Sequence, residues 1–166
     1  MPDTESTDPP EMRTEQDHSR SNKLHTPRHC NTDTGGDVDY RWRGEVSDDE
    51  LVDLTLSHGG NPESGWWDRI RAHSLGWVTG RLPDGALIGF VNVAWDGSDH
   101  AFLLDTKVNP EHQRGGIGTE LVRRAADGAA RAGCTWLHVD FEPHLRGFYF
   151  DACGFRPTDA GLIALR

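Results

Sequence analysis

Apolar residues are nearly missing from the first 39 positions of this 166-residue chain: between Met1 and Asp39 they are Met1, Met12, Leu24, Cys30 and Val38. A stretch that poor in apolar surface cannot offset its conformational entropy by burial, so residues 1–39 are expected to form a disordered acidic tail ahead of one folded domain at 40–166. Cysteine is scarce as well. Cys30, Cys134 and Cys153 are odd in number and lack CxxC spacing, which excludes a disulfide framework and a zinc knuckle and makes a reducing cytoplasm the expected location. No apolar run approaches the roughly 20 residues that span a bilayer, and the opening Met-Pro-Asp-Thr-Glu-Ser lacks the basic and then apolar start of a signal peptide. Basic residues are the minority, 17 against 27 acidic, for a net charge of -10. The tail carries 9 acids and 4 bases, the remainder 18 and 13. An acidic body argues against nucleic acid or an anionic membrane as partner. It suits a cationic ligand and equally serves solubility. His18, His25, His29 and Cys30 fall in the tail, where no ordered scaffold is expected to hold a metal; no metal site is read anywhere in the chain.

From Tyr40 onward apolar residues recur with regular spacing. Tyr40 to Val46 reads as a short strand, and Ser47 with Glu50 three residues later reads as a capping box opening a helix through Leu51, Leu54 and Leu56. His58-Gly59-Gly60-Asn61-Pro62 ends that helix, and a second runs from Trp66 to His73. Trp77 to Leu82, Ala86 to Trp95 and Ala101 to Val108 read as strands joined by tight turns. A helix follows the next loop, with Leu121, Val122, Ala125, Ala126, Ala129 and Ala130 on its apolar face. Thr135 to Phe141 is a strand, Leu145 to Ala152 a short helix, and Phe155 to Leu165 a final strand pair. Antiparallel hairpins thus precede one strand–loop–helix–strand crossover.

That loop carries the chemistry. It runs Val108-Asn109-Pro110-Glu111-His112-Gln113-Arg114-Gly115-Gly116-Ile117-Gly118-Thr119. Glycines let the backbone curl so that successive N–H groups converge at a helix N-terminus, which makes an anion cradle. A Walker loop would need a Lys-Ser/Thr pair, and a dinucleotide fingerprint would need Gly or Ala where Leu121 stands; neither fits. A glycine-rich turn that merely caps a helix is the plain alternative. The order Val-x-Pro followed by Gln-x-x-Gly-x-Gly resembles the acyl-CoA loop of the GNAT superfamily of N-acyltransferases, and the element order over about 40–166 follows that family's layout.

The resemblance implies an α/β (α+β) fold: a mixed, mostly antiparallel sheet of six or seven strands, split by a central bulge or splay and flanked by about four helices. It implies acetyl transfer from acetyl-CoA to an amine, by direct attack and without an acyl-enzyme. Pantetheine would lie along Val108, and pyrophosphate on Gln113, Arg114, Gly115, Gly116, Ile117, Gly118 and Thr119. Asp105 is the leading candidate for amine binding or proton acceptance, because family members often carry an acid there; turn capping and pairing with an Arg are its alternatives. The family's thiolate-protonating Tyr stands four residues before the Gly-Phe pair, whereas here Phe150 holds that place and Tyr149 is one residue early. On an α-helix that is a rotation of about 100°, so a turn or bulge is needed to bring Tyr149 round. His138, Asp140 and Glu142 share a strand face with Trp136 and are secondary candidates. Cys134 and Cys153 read as small packed residues rather than nucleophiles. Trp66, Trp67 and Trp77, with His58 and His73 nearby, either wall the acceptor pocket or pack the helices. The expected partner is a small-molecule amine, with a homodimer possible and neither nucleic acid nor membrane. A non-catalytic acyl-CoA-binding module of the same fold is the alternative reading, and a nucleotide enzyme on another α/β fold is a third.

Overall fold

The computed structural model describes residues 37–165. The tail expected at 1–39, with its histidines and Cys30, therefore lies almost wholly outside the described residues. The strands are β1 (Asp39–Trp42), β2 (Ser74–Arg81), β3 (Leu87–Trp95), β4 (His100–Val108) and β5 (Trp136–His138). They form one sheet in chain order, with antiparallel joins as far as β4 and a parallel join between β4 and β5. The helices are α1 (Asp48–Ser57), α2 (Trp66–Arg71) and α3 (Ile117–Arg131), followed by a π-helical turn at Gly147–Ala152.

Local chemistry accounts for the helix starts. Ser47 caps α1 by accepting from the Glu50 N–H, and the Glu50 carboxylate accepts from the Ser47 N–H at 2.9 Å, so two otherwise unpaired donors are satisfied. The Asp48 carboxylate accepts from the N–H groups of Gly65 and Trp67 at 2.6 and 2.9 Å and so ties the start of α2 to the start of α1. Leu51, Leu54, Trp67 and Phe90 form a core on one face of the sheet. On the other face α3 buries Ile117, Leu121, Val122, Ala125, Gly128 and Ala129 against Val78, Val91, Val93 and Leu103. The expected helix face is thus corrected at two places. Ala126 is half-buried and Ala130 exposed, while Gly128 faces inward, because an added Cβ there would meet the Trp42 ring at 2.5 Å.

The sheet has five strands among the described residues, not six or seven. Phe155–Leu165 forms no strand pair: Leu162 and Ile163 are 84% and 86% exposed, and Pro157 removes a ladder donor. β5 is three residues rather than seven, for a reason that lies in β4. The β3–β4 register shifts between Phe90 and Asn92, which face Lys107 and Leu104, leaving an extra residue on β4. The extra residue marks a bulge, where Asp105 takes φ 54°. Bulges bend and twist their strand, so β4 pairs with β5 only over His100–Phe102 and then parts from it. The expected splay is present, and this bulge makes it.

Candidate active site

Beyond the bulge, one edge of β4 faces the splay. The Asn109 N–H donates to the Ile88 carbonyl of β3, so by alternation the Val108 N–H points away from β3. Both splay-side groups of Val108 are held by this chain's own side chains. The Val108 N–H donates to His58 Nε2 at 3.3 Å, and its carbonyl accepts from Gln113 Nε2 at 3.1 Å. His58 Nδ1 lies 3.0 Å from the Leu54 carbonyl. That geometry requires the neutral tautomer with hydrogen on Nδ1, since Nε2 must accept. Gln113, assigned by resemblance to pyrophosphate, thus reaches back along the strand.

Arg114 and Gly116 take φ 66° and 81°. Gly116 is the N-cap of α3, with no side chain capping the helix, and a Cβ placed there would meet nothing within 4 Å. The first N–H groups of α3, from Ile117, Gly118 and Thr119, have no partner within a helix and open onto this space. Gly118 is needed for close approach, because an added Cβ would stand 3.1 Å from the Phe148 ring.

Tyr149 reaches the same region by a change of helix type. In the π turn the Cys153 N–H bonds to the Phe148 carbonyl five residues back, which accommodates one residue more per turn than an α-helix. The turn thus holds the one extra residue that stands between Tyr149 and Gly154. Tyr149 is 6% exposed, stacked on Phe141 at 4.6 Å and edge-on to Phe148 at 4.7 Å. Burial pushes its phenol pKa up, while the Thr106 side chain of β4 pulls the other way. Phe150, in the nominal register, is half-buried with Arg146 5.1 Å from its ring.

Asp105 and Lys107 line a cavity of about 260 Å³ together with Asp48, Leu51, Thr55 and Trp66. Burial raises the Asp105 pKa, opposed by the Lys107 charge. Burial lowers the Lys107 pKa, opposed by Asp105. Of the tryptophans, Trp66 lines this cavity, whereas Trp67 packs against Trp77 and Phe90 at 4.8 and 5.3 Å.

The secondary candidates are not brought to this cavity. His138 stacks between His100 and Phe102, each 5.0 Å away, at the far end of β4, and Asp140 and Glu142 are exposed beyond the end of β5. Cys134 and Cys153 are half-buried free thiols whose pKa values are raised by burial, which disfavours thiolates. Among the described residues no three His, Cys, Asp or Glu side chains group as a metal site, and no helix is long and apolar enough to cross a membrane. Sequence reasoning passed over Lys107 and Thr106, and named His58 only as a neighbour. Strand alternation could not have found the pair, because a bulge at Asp105 interrupts it.

The model of the acetyltransferase (GNAT) family matches residues 42–155. The chain belongs to this family of acyltransferases. Over 62 residues it is 36% identical to a mycothiol acetyltransferase of Mycolicibacterium vanbaalenii, a match taking in 37% of this chain and 21% of that protein. The chain thus matches about a fifth of the length of that curated relative. Among solved structures, a GNAT-family acetyltransferase from Streptococcus pneumoniae superposes with a TM-score of 0.66 at 22% identity, over 78% of this chain and 98% of that one. An aminoglycoside N-acetyltransferase in complex with CoA gives 0.64 at 19% identity, over 80% and 97%. At such identities these structures speak for the fold.

Proposed function

We propose that this GNAT protein transfers an acetyl group from acetyl-CoA to the amine of a small molecule, by direct attack of the amine. The observation that carries the reading is the π turn. It holds the buried Tyr149 ring edge-on to Phe148, the ring that Gly118 approaches closely at the start of α3, beside an uncapped glycine cradle. The cradle suits a diphosphate: its donors are main-chain N–H groups at the start of a 15-residue helix, and its floor at Gly116 is open.

When bound, acetyl-CoA supplies an acyl group already activated as a thioester. The chain's own residues do the rest. Gly115 to Thr119 hold the diphosphate, with Arg114 at the loop's strained corner. Val108 offers its N–H and carbonyl to the pantetheine arm once His58 and Gln113 release them. An N–H of the β4 edge polarises the acyl carbonyl. An alkylamine with pKa near 10.4 spends about 4.6 kcal/mol on losing its proton at pH 7, and Asp105 in the cavity is placed to receive that proton. Tyr149, kept protonated by burial, holds the proton that the departing thiolate needs.

Calorimetric titration with acetyl-CoA, CoA and ATP, repeated on Gly116→Trp, tests the reading. Tight binding of both CoA species but not ATP, lost in the variant, supports it. Absence of CoA binding by folded protein overturns it. CoA binding without turnover on any amine would favour a non-catalytic acyl-CoA-binding module instead.

A further inference from the structure

Resting on the acyltransferase reading, we propose that the acceptor is a small zwitterion, an amine with a carboxylate close by, whose amine meets Asp105 and whose carboxylate meets Lys107.

Counted by type, the cavity between α1, the α1–α2 connection and β4 is acidic: Asp48, Glu63 and Asp105 face one base, Lys107. The partners of those groups change the picture. Both oxygens of Asp48 accept backbone N–H groups, from Gly65 and Trp67, so its charge is engaged at the start of α2. Glu63 is exposed and paired with Arg69 at 2.9 Å. Two charges are left. Among the described residues no ion pair within 4 Å engages Asp105 or Lys107. Lys107 Nζ donates to Thr55 Oγ1 at 3.0 Å and stands 4.9 Å from the centre of the Trp66 ring. An ammonium carries three N–H donors, and Thr55 takes one.

The cavity therefore presents one anion and one cation, both half-buried, which feel each other's charge but form no ion pair within 4 Å. They stand two residues apart across the bulge of β4, where Asp105 takes φ 54°, and both side chains line the one cavity. A simple alkylammonium entering this space would satisfy Asp105 and be repelled by Lys107. An amino acid satisfies both, places its amine at the carboxylate that takes up the proton, and leaves its side chain to run along Trp66. A cavity of about 260 Å³ is just below the range of drug-sized sites, which begins at about 300 Å³, and suits a ligand as small as an amino acid. The acidic balance of the whole chain pointed to a cation. The pairing inside the cavity points to an ampholyte.

The test uses the full chain and matched acceptor sets: alanine and phenylalanine, their amides, and the amines they give on losing the carboxyl group. Calorimetry on protein with and without CoA reads binding, and release of the CoA thiol from acetyl-CoA reads turnover. The amino acids are expected to bind at least tenfold tighter than their amides and amines, with a matching advantage in kcat/KM carried by KM. Lys107→Met should erase that preference, and Lys107→Arg should keep part of it. Equal or weaker binding of the amino acids by wild type, or a preference that survives Lys107→Met, overturns the proposal. Because acceptor binding is read separately from CoA binding, a protein that binds CoA but not the zwitterion sinks this proposal alone. A folded protein that binds no CoA sinks the acyltransferase reading.

Discussion

Asp105 combines a left-handed backbone, burial and a neighbouring Lys107 at the one bulge in β4. A base acts ionised, and burial raises its pKa, so activity is expected to fall as pH drops through a value above the ordinary carboxylate range near 3.9. Asp105→Asn should lower kcat by about 100-fold or more and flatten that acid limb in a pH–rate profile. A preserved limb would move the proton acceptor elsewhere. His58 makes the opposite kind of contribution. Its bond to the Val108 N–H satisfies the edge that pantetheine needs, and breaking a bond of this kind costs about 1 kcal/mol net. His58→Ala should therefore tighten CoA binding roughly fivefold in calorimetry. Weakened binding would mean that the imidazole helps to hold the ligand rather than standing in its place.

At the level of elements, α1 is held by its capping box and by the pair between Glu50 and Arg81 at 2.6 Å. The Arg81 guanidinium, ahead of the Ser47 N–H, lowers the Glu50 pKa. A depressed folded pKa adds stability that is present above the unfolded pKa and lost as pH falls through the folded one. Glu50→Gln should thus destabilise the protein by about 1 kcal/mol at neutral pH. The difference from wild type should shrink in urea unfolding curves below pH 4, the unshifted carboxylate range. The crossing of β1, β2 and α3 depends on two glycines. The Trp42 ring lies where a Cβ on Gly76 or on Gly128 would be. Gly128→Ala gains up to about 1 kcal/mol of helix propensity, but the ring has Gly76 on its other side and cannot yield. Overpacking should win, with a net loss of about 1–2 kcal/mol in urea unfolding; a stabilised variant would show that the contact is soft.

For the whole molecule, the core described above draws on Val38 and residues after it, and the first 36 positions hold four apolar residues. We propose that this segment adds nothing to the fold. A chain of residues 37–166 should unfold at the same midpoint as the full chain, within about 1 °C on the scale where 1 kcal/mol moves the midpoint by 2–8 °C, and bind CoA equally. A clear drop in midpoint would give the segment a structural role.

Local chemistry made much of this legible in advance. The Ser47–Glu50 box, the hairpin strands and the glycine loop can be read from residue type and spacing, because caps, turns and alternation act over a few positions, whereas the splay was implied by the family resemblance. The family resemblance rested on that same local order. What the sequence could not settle depends on contacts far apart in the chain. Whether Phe155–Leu165 becomes strand depends on surface available to cover it. The last turn winds as a π-helix and stacks Tyr149 on Phe141, and helix type there follows packing rather than propensity. His58 meets Val108 across 50 residues, and Asp48 is engaged by an N-terminus 17 and 19 residues on. The chain's excess of acid is written in its composition. Which of those charges are left facing the cavity was decided only by the folded pairing, because an ion's influence depends on the partners it has already found.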